Sequence, residues 1–333
     1  MSLAGLCRRS VISSLIAATA LTFTAPAVRS QERSQDQYPS ANVEVIVPFA
    51  AGGAVDVTGR MFAQVLSKAL VRTFVVINRP GANSNIGNLA VVRAKPDGYT
   101  LLVSSIGLAA NAALYKSLPY DPLRDLSPIS LLSNAPLGLF VNKDLPATNL
   151  SEFIAYVKAN PDKLDYASYG MGSSPHLAAE LFQRVTGTKM IHIPFSGNAP
   201  ATVATVTGTT QVIFCSTVAA LPFVQNGSLK PIAFGDDRRS VQLPDVPTFK
   251  EQGVDFTMGT WFGLLAPRNT PQAVIETLSK AVHESLGDAE LQKVMGVQGA
   301  RVVASSPDEF AGFLRAESAR LAAVIREANI RAD

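Results

Sequence analysis

Apolar and polar positions along this chain change their period repeatedly, and each change marks an element. The apolar run from Val45 to Phe49 stops at Ala50-Ala51-Gly52-Gly53, and Val57, Met61 and Val65 then recur at helical spacing. That is strand, glycine turn, helix. The same reading predicts strands over 42–48, 73–78 and 100–104, with helices over 53–70 and 86–94 between them. This order implies a parallel sheet with right-handed crossovers.

From 114 to 136 the chain is proline-rich and reads as irregular. A second alternation follows, with strands over 137–142, 165–168, 190–194, 211–216 and 229–234. Helices are expected over 150–160, 175–187, 199–208 and 219–226. After another irregular stretch, 235–247, residues 261–266 read as an apolar strand. The end is helical: 271–286 keeps Val274, Leu278, Ala281, Val282 and Leu286 on one face, and Ser306-Pro307-Asp308-Glu309 opens the last helix as a capping box. The apolar strands 137–142 and 261–266 bracket the middle module. If they are crossovers, residues 38–138 and 263–333 form one domain and 139–262 the other, with a ligand cleft at the carboxyl ends of both sheets. One large domain is the alternative.

Composition is that of an ordinary globular α/β chain, 47% hydrophobic and 17% charged over 333 residues. Before the first strand, Arg8-Arg9, the apolar stretch 11–23 and Ala25-Pro26-Ala27 have the order of a secretory signal peptide, residues 1–27, with cleavage near Ala27. The apolar run is too short for a bilayer span. Cleavage leaves 27 basic against 26 acidic residues and a single cysteine, Cys215. Nucleic acid is therefore a poor partner, and an internal disulfide or thiolate metal site is excluded. The expected location is the periplasm.

Three strand-to-helix turns look alike: Phe49 to Ala54, Tyr169 to His176 and Phe195 to Pro200. Each offers backbone N–H groups and small side chains at a helix start, where an anion is favoured. In the second, Ser174 is the expected N-cap, with Pro175 at the first helical position. Ser104 and Ser105 add hydroxyls. A plain capped connection is the commoner reading for any one turn; three in one cleft favour a carboxylate site. Enzyme signatures are weak. Gly170-x-Gly172 lacks the third glycine of a dinucleotide fingerprint, and Gly172-Ser173-Ser174-Pro175 is not a nucleophile elbow. Ser174 and His176 are close in sequence, and a periplasmic hydrolase using them is the alternative function. His176, His192 and His283 show no metal-site spacing. Asp56 and Arg60, four apart, read as an ion pair on the first helix. Cys215 reads as a small buried thiol at a strand end pointing toward the cleft.

The segments VPFAAGGAVDVTGR, VINRPGANSNIG, KPDGYTLL, LPYDPLRDLSPIS, LDYASYGMGSSPHLAAELF, HIPFSGNAPA, LPDVPT and WFGLLAP resemble, in order, the Bug (TctC-like) family of periplasmic solute receptors of tripartite tricarboxylate transporters. The resemblance implies a type II-like periplasmic binding-protein fold, two Rossmann-like α/β domains joined by two crossover strands. It implies a monomer without cofactor that closes on a small organic carboxylate and delivers it to integral membrane subunits, or, as an orphan receptor, to a sensor. It places the ligand at Phe49, Ala51, Gly52, Gly53 and Ala54; at Ser104, Ser105 and Ile106; at Tyr169, Gly172, Ser173, Ser174 and His176; and at Ser196, Gly197, Asn198 and Ala199. Cys215 stands where many relatives carry aspartate, which favours a carboxylate without an amino group.

Overall fold

Val43–Val47 (β1) buries Val43, Val45, Ile46 and Val47 and exposes only Glu44. A strand covered on both faces belongs inside a parallel sheet. In the computed structural model, which describes residues 38–331, the connecting helix Ala54–Leu70 (α1) leads to Phe74–Asn78 (β2). Asn85–Val92 (α2) then leads to Thr100–Ser105 (β3), and β1 lies parallel between β2 and β3. α1 buries Val55, Phe62, Ala63 and Leu66 in a cluster with Val45, Val47, Leu101 and Val103.

β3 runs straight into Ile106–Leu114 (α3), a helix the sequence pattern did not predict. It is buried almost all round, so its residues carry no amphipathic period to read. Leu126–Asn142 (β4) corrects the irregular reading of 114–136. Its prolines occupy the places a strand tolerates: Pro128 adjoins a register shift, and Pro136 is the last residue of one pairing.

The middle of the chain follows the expected alternation. It comprises Leu150–Ala159 (α4), Asp165–Ser168 (β5), Ser174–Thr186 (α5), Ile191–Pro194 (β6) and Asn198–Val206 (α6). Val212–Ser216 (β7), Thr217–Gln225 (α7), Leu229–Phe234 (β8) and Gly259–Pro267 (β9) come next. Gln272–Glu284 (α8), Ala289–Val297 (α9), Arg301–Val302 (β10) and Pro307–Glu327 (α10) end the chain. Two starts matter for the site. Ser173, not Ser174, is the N-cap of α5: its backbone is extended, at φ −68° and ψ 160°, and Ser174 is already helical, while the Ser173 hydroxyl turns back to the Gly170 carbonyl at 2.7 Å. α7 begins at Thr217, directly off β7. α9 and β10 were also unforeseen, although Asp288 caps α9 through the Glu290 and Leu291 N–H groups. The capping box of Ser306 and Glu309 on α10 is present as expected. The proposed signal peptide lies outside the described residues.

All strands belong to one ten-stranded sheet ordered β2-β1-β3-β9-β4-β7-β5-β6, with β8 and β10 also on β4. β4 is the shared spine. Up to Pro136 it pairs antiparallel with β9, and from Leu137 it pairs antiparallel with β7 and β8. The strands β5, β6 and β7 form the second parallel group. Register places the functional edges: Ser105 at the end of β3 lies opposite Phe262, Phe262 opposite Ser133, and Ser216 at the end of β7 opposite Leu137. The carboxyl ends of both parallel groups thus come within four residues of each other along β4, ~13 Å at strand rise.

The change of partners is tightly packed. A Cβ at Gly259 would meet the Ala135 carbonyl at 2.8 Å and the Pro136 Cα at 3.0 Å. Gly259→Val is therefore expected to cost about 2 kcal/mol, read as a lower denaturant midpoint. A midpoint equal to the wild type would show that the spine tolerates wider spacing there.

Candidate functional site

The two carboxyl edges carry the starts of α1, α3, α5, α6 and α7. Their N-cap residues are Gly53, Ser105, Ser173, Gly197 and Ser216, and none makes a side-chain capping hydrogen bond. Of the other helices, α4, α9 and α10 are capped by Asn149, Asp288 and Ser306, whereas α2 and α8, starting at Ser84 and Pro271, lack a side-chain cap as well. A helix start leaves backbone N–H groups without intrahelical partners. At the two edges, these donors are kept available.

In the first turn, Ala50 to Ala54 are exposed and Phe49 is half-buried. The two glycines, read alike from sequence, do different things. Gly52, at φ +84°, donates its N–H to Asp56 Oδ2 at 2.9 Å, so this donor is already committed. Gly53 has ordinary φ, and among the described residues its N–H is bonded to no such acceptor. Asp56 is buried, and its ion pair with Arg60 (Nε to Oδ2, 3.0 Å) belongs to a larger network. Asn78 Nδ2 donates to Asp56 Oδ1 at 2.8 Å and to the Phe49 carbonyl at 3.0 Å, and Arg60 Nη2 donates to Asn78 Oδ1. Burial works against the Asp56 charge, but the bonds from Arg60, the Gly52 N–H and Asn78 outweigh it and hold the carboxyl below its usual range.

At the β3–α3 turn, Ser104 is fully buried and its hydroxyl is spent on Asn88 Oδ1 at 3.2 Å. Ser105 and Ile106 are buried at the start of α3. Beside them Asn85, Asn88, Asn111 and Tyr120 form a buried amide and phenol network that pins 83–85 to α3. Sequence reading passed over these asparagines. Their clustering around Asn83-Ser84-Asn85 was the available signal.

The turn from Tyr169 to His176 rests on a stack of rings. His176 and His192 lie 3.9 Å apart at 9°, and His192 lies 5.0 Å from Tyr166 at 18°. His176 Nδ1 accepts from the Gly172 N–H at 2.9 Å, and Ser168 Oγ meets His192 Nε2 at 2.6 Å. Burial, then the neighbouring His192, pull His176 down to about 3, and burial pulls His192 to about 4. Both rings are neutral near pH 7. The ring of His176 is therefore a buried support. Its Nδ1 is occupied, which removes the base a Ser174 hydrolase needs. Ser168 is itself fully buried and bonded to the Gly170 N–H, so its contact with His192 makes no accessible nucleophile either. Gly172 presses on α3: a Cβ there would meet Leu114 Cδ1 at 2.7 Å.

In the turn from Phe195 to Pro200, Ser196, Asn198 and Ala199 are exposed and Gly197 is half-buried. Asn198 Oδ1 accepts from Thr202. Cys215 is fully buried, its thiol pushed up by burial and so neutral; burial, then Cys215, raise the nearby Tyr169 phenol. Ser216 and Thr217, at the start of α7, complete the edge. The sequence reading missed them because it began that helix two residues late. Among the described residues no group of three His, Cys, Asp or Glu is placed to hold a metal ion.

With this geometry in place, the chain was compared with known proteins. Residues 58–330 match the model of the tripartite tricarboxylate transporter family receptor. Protein BugT of Bordetella pertussis is 37% identical over 297 residues, covering 88% of this chain and 91% of that protein. Two solved structures share the fold: R. palustris Rpa4515 with adipate (TM-score 0.77, 31% identity, 88% of this chain and 99% of that one), and MatC from Rhodopseudomonas palustris with bound malate (TM-score 0.73, 33% identity, 86% and 100%).

The neutral histidines have a thermodynamic consequence. An unfolded histidine titrates near 6.5, above both folded values, so the unfolded chain binds more protons as pH falls below that point. Stability contributed by keeping His176 neutral is full above pH 7 and is lost as pH drops from 6.5 toward 4. In His176→Phe, about 2 kcal/mol of the wild type's loss between pH 7 and 4.5 should disappear, as measured by urea midpoints across that range. Parallel profiles for the two proteins would contradict the buried, neutral ring.

Proposed function

Because the chain belongs to the tripartite tricarboxylate transporter receptor family, we propose that it captures a small organic carboxylate between its two strand edges and delivers it to the integral membrane subunits of such a transporter. One observation carries the ligand class: five helix starts without side-chain caps lie on the two carboxyl edges that approach each other across β4. Each helix start acts as roughly half a positive charge. Two such ends balance one carboxylate, so the edge suits one or two carboxylate groups better than a phosphate cluster or a cation. The adipate and malate held by the two neighbours are of this kind.

In this reading the ligand's first carboxylate takes N–H groups from Gly53 onward, not that of Gly52. Ser173, Gly197 and Ser216 start the helices that face the remainder of the ligand, over the neutral floor of Tyr169 and Cys215. Two lobes, 38–138 with 263–333 and 139–262, close by bending where β4 and β9 pass between them. The change of strand partners at Pro136 and Leu137 supports this division. Residues 1–27 direct export to the periplasm and are removed, and the receptor acts as a monomer.

A thermal-shift screen of mono-, di- and tricarboxylates, adipate and malate included, tests the proposal. A true ligand at 100 times its dissociation constant should add about 2.7 kcal/mol of stability. Gly53→Leu should abolish that shift without lowering the unliganded melting temperature, because Gly53 has φ −77° and a Cβ there meets nothing closer than 3.6 Å. A panel in which no acid shifts the melting point, or an equal shift in the variant, would sink the reading.

A further inference from the structure

The turns from Phe49 to Ala54 and from Tyr169 to His176 share a device that their sequences conceal. In each, the residue two before the helix is a glycine in the left-handed region, Gly52 at φ +84° and Gly172 at φ +72°. In each, the N-cap is extended, Gly53 at φ −77°, ψ 168° and Ser173 at φ −68°, ψ 160°. The third helical residue then turns back to accept the glycine N–H: Asp56 Oδ2 from Gly52 and His176 Nδ1 from Gly172, both at 2.9 Å. The acceptors differ in chemistry and coincide in position. Each is buried and held from behind, Asp56 by Arg60 and Asn78, His176 by the stacked His192. His192 also contacts Ser168, whose hydroxyl takes the Gly170 N–H.

We propose that Asp56 and His176 are a matched pair of positioning residues, one per strand edge, that fix the two glycine turns so that their free N–H groups are aimed before a ligand arrives. The assignment rests on the carboxylate-receptor reading for its purpose. A glycine turn is flexible, and a ligand that must order it loses affinity by doing so. Fixing the glycine N–H from inside removes that cost while leaving the next N–H groups for the ligand. His176 can accept only as the neutral tautomer protonated at Nε2. That nitrogen faces Glu180 Oε1 at 4.0 Å, and Glu180 in turn accepts from the Tyr166 hydroxyl.

The test compares wild type with Asp56→Ala, Asp56→Asn, His176→Phe and His176→Asn, the Asn variants keeping an acceptor near the original position. One readout needs no ligand: amide exchange at Gly52 and Gly172, with the 15N signal of His176 Nδ1 reporting its tautomer. The second is calorimetric affinity for adipate and for malate. Asp56→Ala should lose protection at Gly52 alone and His176→Phe at Gly172 alone. Each should weaken binding of whichever acid the wild type takes by about tenfold, while the Asn variants stay within about threefold. Unprotected glycine amides in the wild type, a His176 Nδ1 that carries the proton, or unchanged affinity in Asp56→Ala and His176→Phe would overturn the assignment. If no acid of the thermal-shift panel binds the wild type yet both amides are protected, the positioning contacts stand and their purpose as a carboxylate site falls.

Discussion

The structure depends on backbone donors that the chain declines to satisfy. A helix start normally recruits a serine, asparagine or aspartate to take its free N–H groups, and this sequence does so at Asn149, Asp288 and Ser306. At Gly53, Ser105, Ser173, Gly197 and Ser216 it does not, even where a serine is available. Ser173 turns its hydroxyl backwards to a carbonyl. Such donors are tolerable only where something else reaches them, water or ligand. Their position is set by the parallel β-turn-α unit, which always delivers its helix start to the carboxyl edge of the sheet.

One strand converts two such edges into one site. β4 changes partners between Pro136 and Leu137, so the first group ends beside Ser133 and the second beside Leu137. The crossing is close: at Gly235 a Cβ would meet the Met258 carbonyl at 2.7 Å. α10 supports it from outside. Arg320 on α10 reaches the Thr257 carbonyl at 3.2 Å and Met258 Sδ at 3.3 Å, and is held by the buried Glu317 at 2.8 Å. The joint between the groups is thus held both by backbone contact and by a charged side chain.

Much of the fold was legible because its periods are clean. β1, β5 and β8 were read almost to the residue, and the capping box of Ser306 and Glu309 named the start of α10. α3 was missed for the physical reason that a helix buried on every side has no polar face. β4 was half missed because proline is ordinarily a breaker, and the bulge that excuses Pro128 depends on β9, far away in sequence. The turns at Phe49, Tyr169 and Ser196 were visible as glycine and small residues between periods. What the sequence could not show was direction. Asp56 with Arg60 read as an ion pair on the first helix, and His176 as a candidate ligand contact. Only the folded backbone reveals that both side chains face inward to a glycine N–H.

That inward direction explains the electrostatics of the edge. Among the described residues, Asp56 is the only ionised side chain joined directly to the first turn, and Arg60 balances it within the same network. His176 and His192 are kept neutral by burial, and Cys215 remains a thiol for the same reason. With these side-chain charges cancelled or suppressed, the helix starts add a fixed positive field at the edge. Backbone dipoles held by a rigid sheet are already oriented, whereas a lysine or arginine must give up conformational freedom to grip the same anion. A site built this way attracts a carboxylate through fixed geometry, and its strength is set by how well each turn is held. The side chains that matter most are then the ones that never face the ligand.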